Sequence, residues 1–288
     1  MPRLRSVLPV LLGVSLLGLL LWLADPRRLL AALRGGDPVL AAAALVPLAA
    51  VHLLEALRIA QLFRVYGLGY GTAVRITLAS LFFGSFTPGS LGGEAYKVYF
   101  IQRRAPGLAR PIALTVLLRL AGIVATFSLA ALYFVVYPNR ISRSWEWSPS
   151  PAVLVTMGLL VLAGLAVAIG SRRVREALRE IRPSQAAALA LVSLLVSVAR
   201  IFYFYLVARC FTPDLFLPDL APVAAATLLA AAVPITVGGL GAQEGALAAG
   251  LVLIGVPYPQ AVAASLLNRG FLWAGAAAGW AAVAGSRQ

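Results

Sequence analysis

Thr87-Pro88-Gly89-Ser90-Leu91-Gly92-Gly93-Glu94 and Val233-Pro234-Ile235-Thr236-Val237-Gly238-Gly239-Leu240-Gly241-Ala242-Gln243-Glu244 are two versions of one signature. Each runs from a proline through glycines to a single glutamate, inside otherwise apolar sequence. Proline stops a helix and glycine admits left-handed backbone, so each signature breaks a helix and turns the chain back. The turn residues are Pro88, Gly89, Gly92 and Gly93 in the first copy, and Pro234, Gly238, Gly239 and Gly241 in the second. Each Glu is followed 25 residues later by an Arg within an apolar stretch: Glu94 by Arg119, and Glu244 by Arg269. A helix-breaking, acid-bearing segment matched to a distant Arg, present twice, predicts a binding site made from two broken hairpins.

The surrounding sequence sets the solvent. The chain of 288 residues is 61% hydrophobic and 12% charged, with a mean hydropathy of +0.92. Several apolar runs reach the roughly 20 residues that a helix needs to cross a hydrocarbon core of about 30 Å. Long runs, rather than strict alternation, favour a helical bundle over a β-barrel. The expected fold is all-α: a polytopic helical membrane protein with two inverted repeats, each containing a Pro/Gly-broken re-entrant hairpin. Cys210 is the single cysteine, which excludes an intrachain disulfide, and His52 is the single histidine, which argues against a zinc or di-iron site. The net charge of +14 sits mostly in short loops, as for a protein held against an anionic leaflet, and no soluble basic domain exists to bind nucleic acid.

Helices are expected over 7–24, 38–65, 72–86, 91–103, 111–137, 152–170, 184–209, 220–233, 240–254 and 258–284. Pro138 to Ser150 reads as a polar loop whose Trp145 and Trp147 suit a membrane interface, and Ser171 to Arg182 as a basic connector with five arginines. The whole forms one integral membrane domain. Residues 1–37 are an N-terminal helix and loop, 38–137 the first repeat, 138–183 a connecting helix and basic loop, and 184–288 the second repeat. Leu53-Leu54-Glu55-Ala56-Leu57-Arg58-Ile59 also resembles Leu194-Leu195-Val196-Ser197-Val198-Ala199-Arg200-Ile201. Three crossings plus a hairpin separate the repeat starts, and an odd count inverts the second copy. Inverted repeats with interrupted segments at matching positions point to a transporter binding site. Fourteen basic residues on the N-terminal side against six on the other place both termini in the cytoplasm.

Ionisable groups at membrane depth cost roughly 2.5 to 3.5 kcal/mol each on insertion scales. This chain has eight: His52, Glu55, Arg58, Glu94, Arg119, Arg200, Glu244 and Arg269. They must pair, line water or bind something charged. Arg58, Glu94, Arg119, Arg200, Glu244 and Arg269 are the candidate substrate-binding residues, and His52 and Glu55 are candidates for proton or ion coupling. Three acids against four arginines leave an excess of one positive charge, which suits a phosphate-bearing head group held by the planar Arg fork. Backbone N–H groups at the turns add an anion-favouring feature. The competing reading is structural: Glu94–Arg119 and Glu244–Arg269 as ion pairs that only fix the hairpins. No Gly-rich phosphate loop with Lys, no Ser/His/Asp set and no metal spacing occurs, so no enzyme, cofactor or metal is expected.

At Phe83 to Lys97 and at Pro234 to Gly245 the chain resembles the transmembrane region of lysylphosphatidylglycerol synthases and their stand-alone flippase-like relatives. The second stretch is the more specific, and helix count and spacing fit over nearly the whole length. The resemblance implies an integral membrane protein that moves aminoacylated or related lipids between leaflets. The soluble aminoacyltransferase domain of the full synthases is missing from this sequence. The resulting expectation is a flippase or scramblase for an anionic or aminoacylated phospholipid, multi-pass in a bacterial or archaeal cytoplasmic (inner) membrane. Its expected partners are membrane lipids with anionic head groups; homo-oligomerisation stays open. The alternatives are a carrier for a small anionic solute, a non-transporting membrane scaffold and a membrane-embedded lipid-modifying enzyme.

Overall fold

The computed structural model describes residues 2–105, 107–138, 170 and 181–284. The expected 152–170 helix, the loop tryptophans Trp145 and Trp147, and most of the basic connector lie outside them. Among the described residues there are ten α-helices, two short 3-10 turns and no strand. They are α1 (Pro2–Leu23), α2 (Pro26–Arg34), α3 (Pro38–Leu62), α4 (Tyr70–Ser85), α5 (Leu91–Gln102), α6 (Ala109–Val136), α7 (Pro183–Arg209), α8 (Leu220–Ala232), α9 (Ala242–Leu253) and α10 (Tyr258–Ala284). Three of them, α3, α6 and α7, are long and apolar enough to cross a membrane, and the bent pair α1–α2 gives a fourth if it counts as one span.

Local chemistry sets the boundaries. Asp37 caps α3, accepting from Val39 N at 2.8 Å and Leu40 N at 3.2 Å, and Pro38 starts the helix where its missing N–H costs nothing. The expected helix to Val65 stops at Leu62. A 3-10 turn over Arg64–Tyr66 then closes on Gly67, whose φ of 70° no helix continues through. Residues 25–37 were expected to be a loop, yet Asp25 and Pro26 start the nine-residue α2, and the chain bends 85° there. The same cap-plus-proline pair signals both α2 and α3; the three arginines of α2 disguise the first case. The expected start at Leu240 moves to Ala242, because Gly238, Gly239 and Gly241 all have positive φ and keep residue 240 in the turn.

The two hairpins are α4–α5 and α8–α9. Their shorter arms, α5 and α9, have 12 residues each, about 18 Å of helix, so neither reaches across a core of about 30 Å. The two halves interleave. Helix α3 packs along α7. The first arm of each hairpin packs on the helix that follows the other hairpin: α4 on α10, and α8 on α6. Small residues allow the approach, as where Gly279 lies against the Leu78 backbone and Gly250 against Val223. One apolar cluster gathers around Phe63, Ile76, Ile101 and Leu118, and a second around Leu220, Leu247, Leu251 and Val262. Large side chains such as Val39, Val46, Val135 and Trp280 face outward, as they do on a surface that meets lipid.

Candidate functional site

The two signatures touch each other. Pro88 and Val237 form an antiparallel bridge, and Gly238 N donates to Thr87 O at 3.0 Å. A Cβ on Gly89 would lie 3.0 Å from Ala232 O and from Pro234 Cα, so the turns meet backbone to backbone. Gly89 and Ser90 have φ of 58° and 57°, a left-handed pair that lets the chain reverse before α5. In the second turn Gly238 has φ of 57°. Gly238→Ala adds both left-handed strain and a clash with the Ser85 backbone. It is expected to destabilise the protein by about 1–3 kcal/mol, read as a lowered thermal unfolding midpoint in detergent.

Each distant arginine serves its own turn. Arg119 Nη2 donates to Gly89 O at 3.4 Å and also to Ala232 O at 3.2 Å, so it ties the two turns together. Arg269 Nη1 donates to Gly238 O at 3.0 Å, and its Nε reaches Glu244 Oε1 at 2.5 Å. Glu244 is fully buried, and its other oxygen accepts from Gly241 N at 2.6 Å. The expected Glu244–Arg269 pair is therefore present, with Arg269 Nη2 buried and without an acceptor among the described residues.

The expected Glu94–Arg119 pair does not form. Glu94 instead pairs with Lys97, one turn along α5, at 3.2 Å. The Arg119 fork is held by two carbonyls that the touching turns deliver, and Lys97 is the nearer cation for Glu94. The N–H groups at the start of α5 were expected to favour an anion. They are already taken: Leu91 N donates to Pro88 O, Gly92 N to Thr87 Oγ1 at 2.6 Å, and Gly93 N to Ser90 O.

A cavity of about 250 Å³ opens beside the turns. It is lined by Glu55 and Arg58 of α3, Glu94 and Lys97 of α5, Arg119 of α6 and Arg200 of α7, with Thr77 and Ser80 of α4 and Ala231 and Ala232 of α8. Four cations face two carboxylates, an excess of two positive charges. Arg200 Nη2 donates to Glu55 Oε1 at 2.9 Å, and His52 Nδ1 lies 3.8 Å from Glu55 Oε2. Arg58 Nη1 donates to Ser193 Oγ at 3.1 Å, while its Nε has no acceptor among the described residues. Gly122, one turn beyond Arg119, leaves room for that guanidinium: a Cβ there would stand 3.2 Å from Arg58 Nη1.

The structure thus brings together Arg58, Glu94, Arg119 and Arg200 around one cavity, with Glu55 among them. Glu244 and Arg269 do not line it. Lys97 is one of the fourteen basic residues of the N-terminal side and not among the candidate site residues; its position three residues after Glu94, on the same helix face, is the signal that could have found it. The Glu55–Arg200 link spans 145 residues, and no spacing along the chain announces it.

No curated protein matches this chain. The family model described as the lysylphosphatidylglycerol synthase TM region matches residues 7–279. That stretch holds both signatures, every cavity residue and all of the apolar helices except the ends of α1 and α10. This chain belongs to the lysylphosphatidylglycerol synthase TM region family, and is a helical membrane protein related to lipid handling.

Proposed function

We propose that this protein is a flippase or scramblase that moves an anionic or aminoacylated phospholipid between leaflets. The observation that carries the reading is the cavity beside the touching turns, where four cations outnumber two carboxylates. A phosphate diester there would meet Arg fork donors, for which bidentate acceptance is geometrically apt. It would also offset the cost of a buried Arg58 Nε that lacks an acceptor, about 1–3 kcal/mol for such a group. Glu94 and Glu55 give the cavity acceptors for a cationic part of the same head group. The hairpin arms are short, and each half packs its first arm on the last helix of the other; this reciprocity favours two inverted repeats in one membrane domain. Both termini are cytoplasmic in this reading, and the membrane is the bacterial or archaeal inner membrane. The protein is not an enzyme; movement is passive or coupled to an ion, with His52 and Glu55 as the coupling pair. Glu244 and Arg269 hold the second hairpin rather than the lipid.

The test is reconstitution. Liposomes carrying purified protein and fluorescent phosphatidylglycerol in both leaflets are treated with a membrane-impermeant quencher. With protein, the protected inner-leaflet signal should fall as label equilibrates. A protected fraction equal to that of protein-free liposomes would sink the reading. The same cationic excess also suits a small anionic solute. Release of a trapped anion with no lipid equilibration would favour that carrier instead.

A further inference from the structure

Arg58 reaches the cavity from α3, and groups on two other helices fix its guanidinium. Its Nη1 donates to Ser193 Oγ of α7 at 3.1 Å. One helical turn on, Ser197 Oγ donates to Ser193 O at 3.0 Å and lies 2.9 Å from Thr126 Oγ1 of α6. Thr126 Oγ1 is in turn 2.9 Å from Gly122 O, and Gly122 is the residue whose missing side chain makes room for the Arg58 guanidinium. The contacts run in a circuit, from Arg58 through Ser193, Ser197, Thr126 and Gly122 and back to Arg58. Ser193, Ser197 and Thr126 are all buried, as is Arg58.

A buried helical serine ordinarily satisfies itself on a carbonyl of its own helix, as Ser197 does. Ser193 differs, because its Oγ accepts from a charged group 135 residues away. An arginine has a long stem with many rotamers, and two carboxylates compete for this one. Glu55 stands three residues earlier on α3, within reach along the helix surface, and Glu94 lines the same cavity. An Arg58 turned onto either acid would be neutralised and lost to an incoming anion. Among the described residues neither acid pairs with it: Glu55 Oε1 takes Arg200, and Glu94 takes Lys97. Ser193 offers a neutral acceptor instead. It holds one arm of the fork without cancelling the charge, while Nε stays without an acceptor.

We propose that Ser193 is a positioning residue, which holds Arg58 off the two carboxylates and keeps the rest of its fork for the phosphate of a lipid in the cavity. Ser197, Thr126 and Gly122 fix the approach of α6 to α7 that sets the guanidinium in place. Ser193 has this role only if the cavity seats a lipid phosphate, as proposed above.

The test is a double-variant cycle on the full chain in neutral detergent, titrated by calorimetry with short-chain phosphatidylglycerol. Ser193→Ala should bind roughly tenfold more weakly than the native chain, the scale of one lost hydrogen bond to a charged group. In the Arg58→Gln background the same change should alter affinity by less than about twofold, because the group it positions is gone. Arg119 and Arg200 keep binding measurable in that background. A serine that only supports the helices would weaken binding equally in both. Ser193→Thr keeps the hydroxyl and should bind within about threefold of the native chain. Helical circular dichroism and unfolding midpoints verify that the compared variants are folded. Native affinity in Ser193→Ala, or equal losses in the two backgrounds, overturns the positioning role. A native chain that binds the lipid but does not equilibrate it in liposomes overturns the transport reading and leaves the role of Ser193 standing. A native chain that binds no lipid overturns both.

Discussion

Arg269→Ala is expected to destabilise the protein by about 3–5 kcal/mol, the range for removing one partner of a buried ion pair. The reason is what stays behind. Glu244 is fully buried, and its Oε1 would lose its cationic partner, while Gly238 O would lose the Arg269 Nη1 donor. The first loss leaves a carboxylate in an apolar interior, and the second frees a turn that touches the first hairpin. Glu244→Gln should cost less, because an amide oxygen can still accept from Gly241 N. The double variant Glu244→Gln/Arg269→Ala should be more stable than the sum of the single losses implies, since no unpaired charge remains. Thermal and denaturant unfolding in one detergent measure all three. Strictly additive losses would show that the pair carries no coupling, and would return Glu244 to the candidates for direct ligand contact.

Arg58→Gln/Arg119→Gln should slow lipid equilibration at least about a hundredfold. Each charged hydrogen bond is worth about 1.5–3 kcal/mol, and two are removed. The pair also takes the cavity from an excess of two positive charges to none. Among the described residues neither forms an ion pair with a carboxylate: Arg58 holds Ser193 Oγ, and Arg119 holds two turn carbonyls. Their replacement therefore leaves no acid stranded, unlike that of Arg269 or Arg200. Arg119→Lys separates charge from fork and should retain part of the rate. Glu94→Gln distinguishes head groups: it raises the cationic excess, so an anionic lipid should still move, while an aminoacylated one should slow. A double Gln variant that folds and equilibrates lipid at the native rate would remove the cavity from the pathway. It would leave a lipid-associated scaffold as the better reading.

Much of this was legible in the residues. Apolar runs and the absence of alternation dictate an all-helical membrane chain, and prolines with glycines dictate where hairpins turn. The cap residues Asp25 and Asp37 with their following prolines fix two helix starts; only the first was masked, by arginines that resemble a loop. Arg58, Glu94, Arg119 and Arg200 were readable as site candidates because charge inside an apolar helix is costly and must have an answer. The spacing of 25 residues correctly matched Glu244 to Arg269.

The same spacing failed for Glu94 and Arg119, and that failure marks the limit of sequence. Distance along the chain fixes which helices carry the two groups, not which acceptor wins. In the first half Lys97 stands within reach of Glu94, and the meeting of the turns supplies Arg119 with Gly89 O and Ala232 O. In the second half the residue three after Glu244 is Leu247, not a cation, and Arg269 reaches both the turn carbonyl Gly238 O and Glu244, so the pair forms and is buried. Glu55 finds Arg200 only because α3 packs along α7. Residue chemistry along the chain dictates the helices, the breaks and the charges that need an answer. Folding in three dimensions supplies the answer, because each charged group takes the nearest partner in space. Packing therefore made one half a sealed ion pair and the other an open cationic cavity.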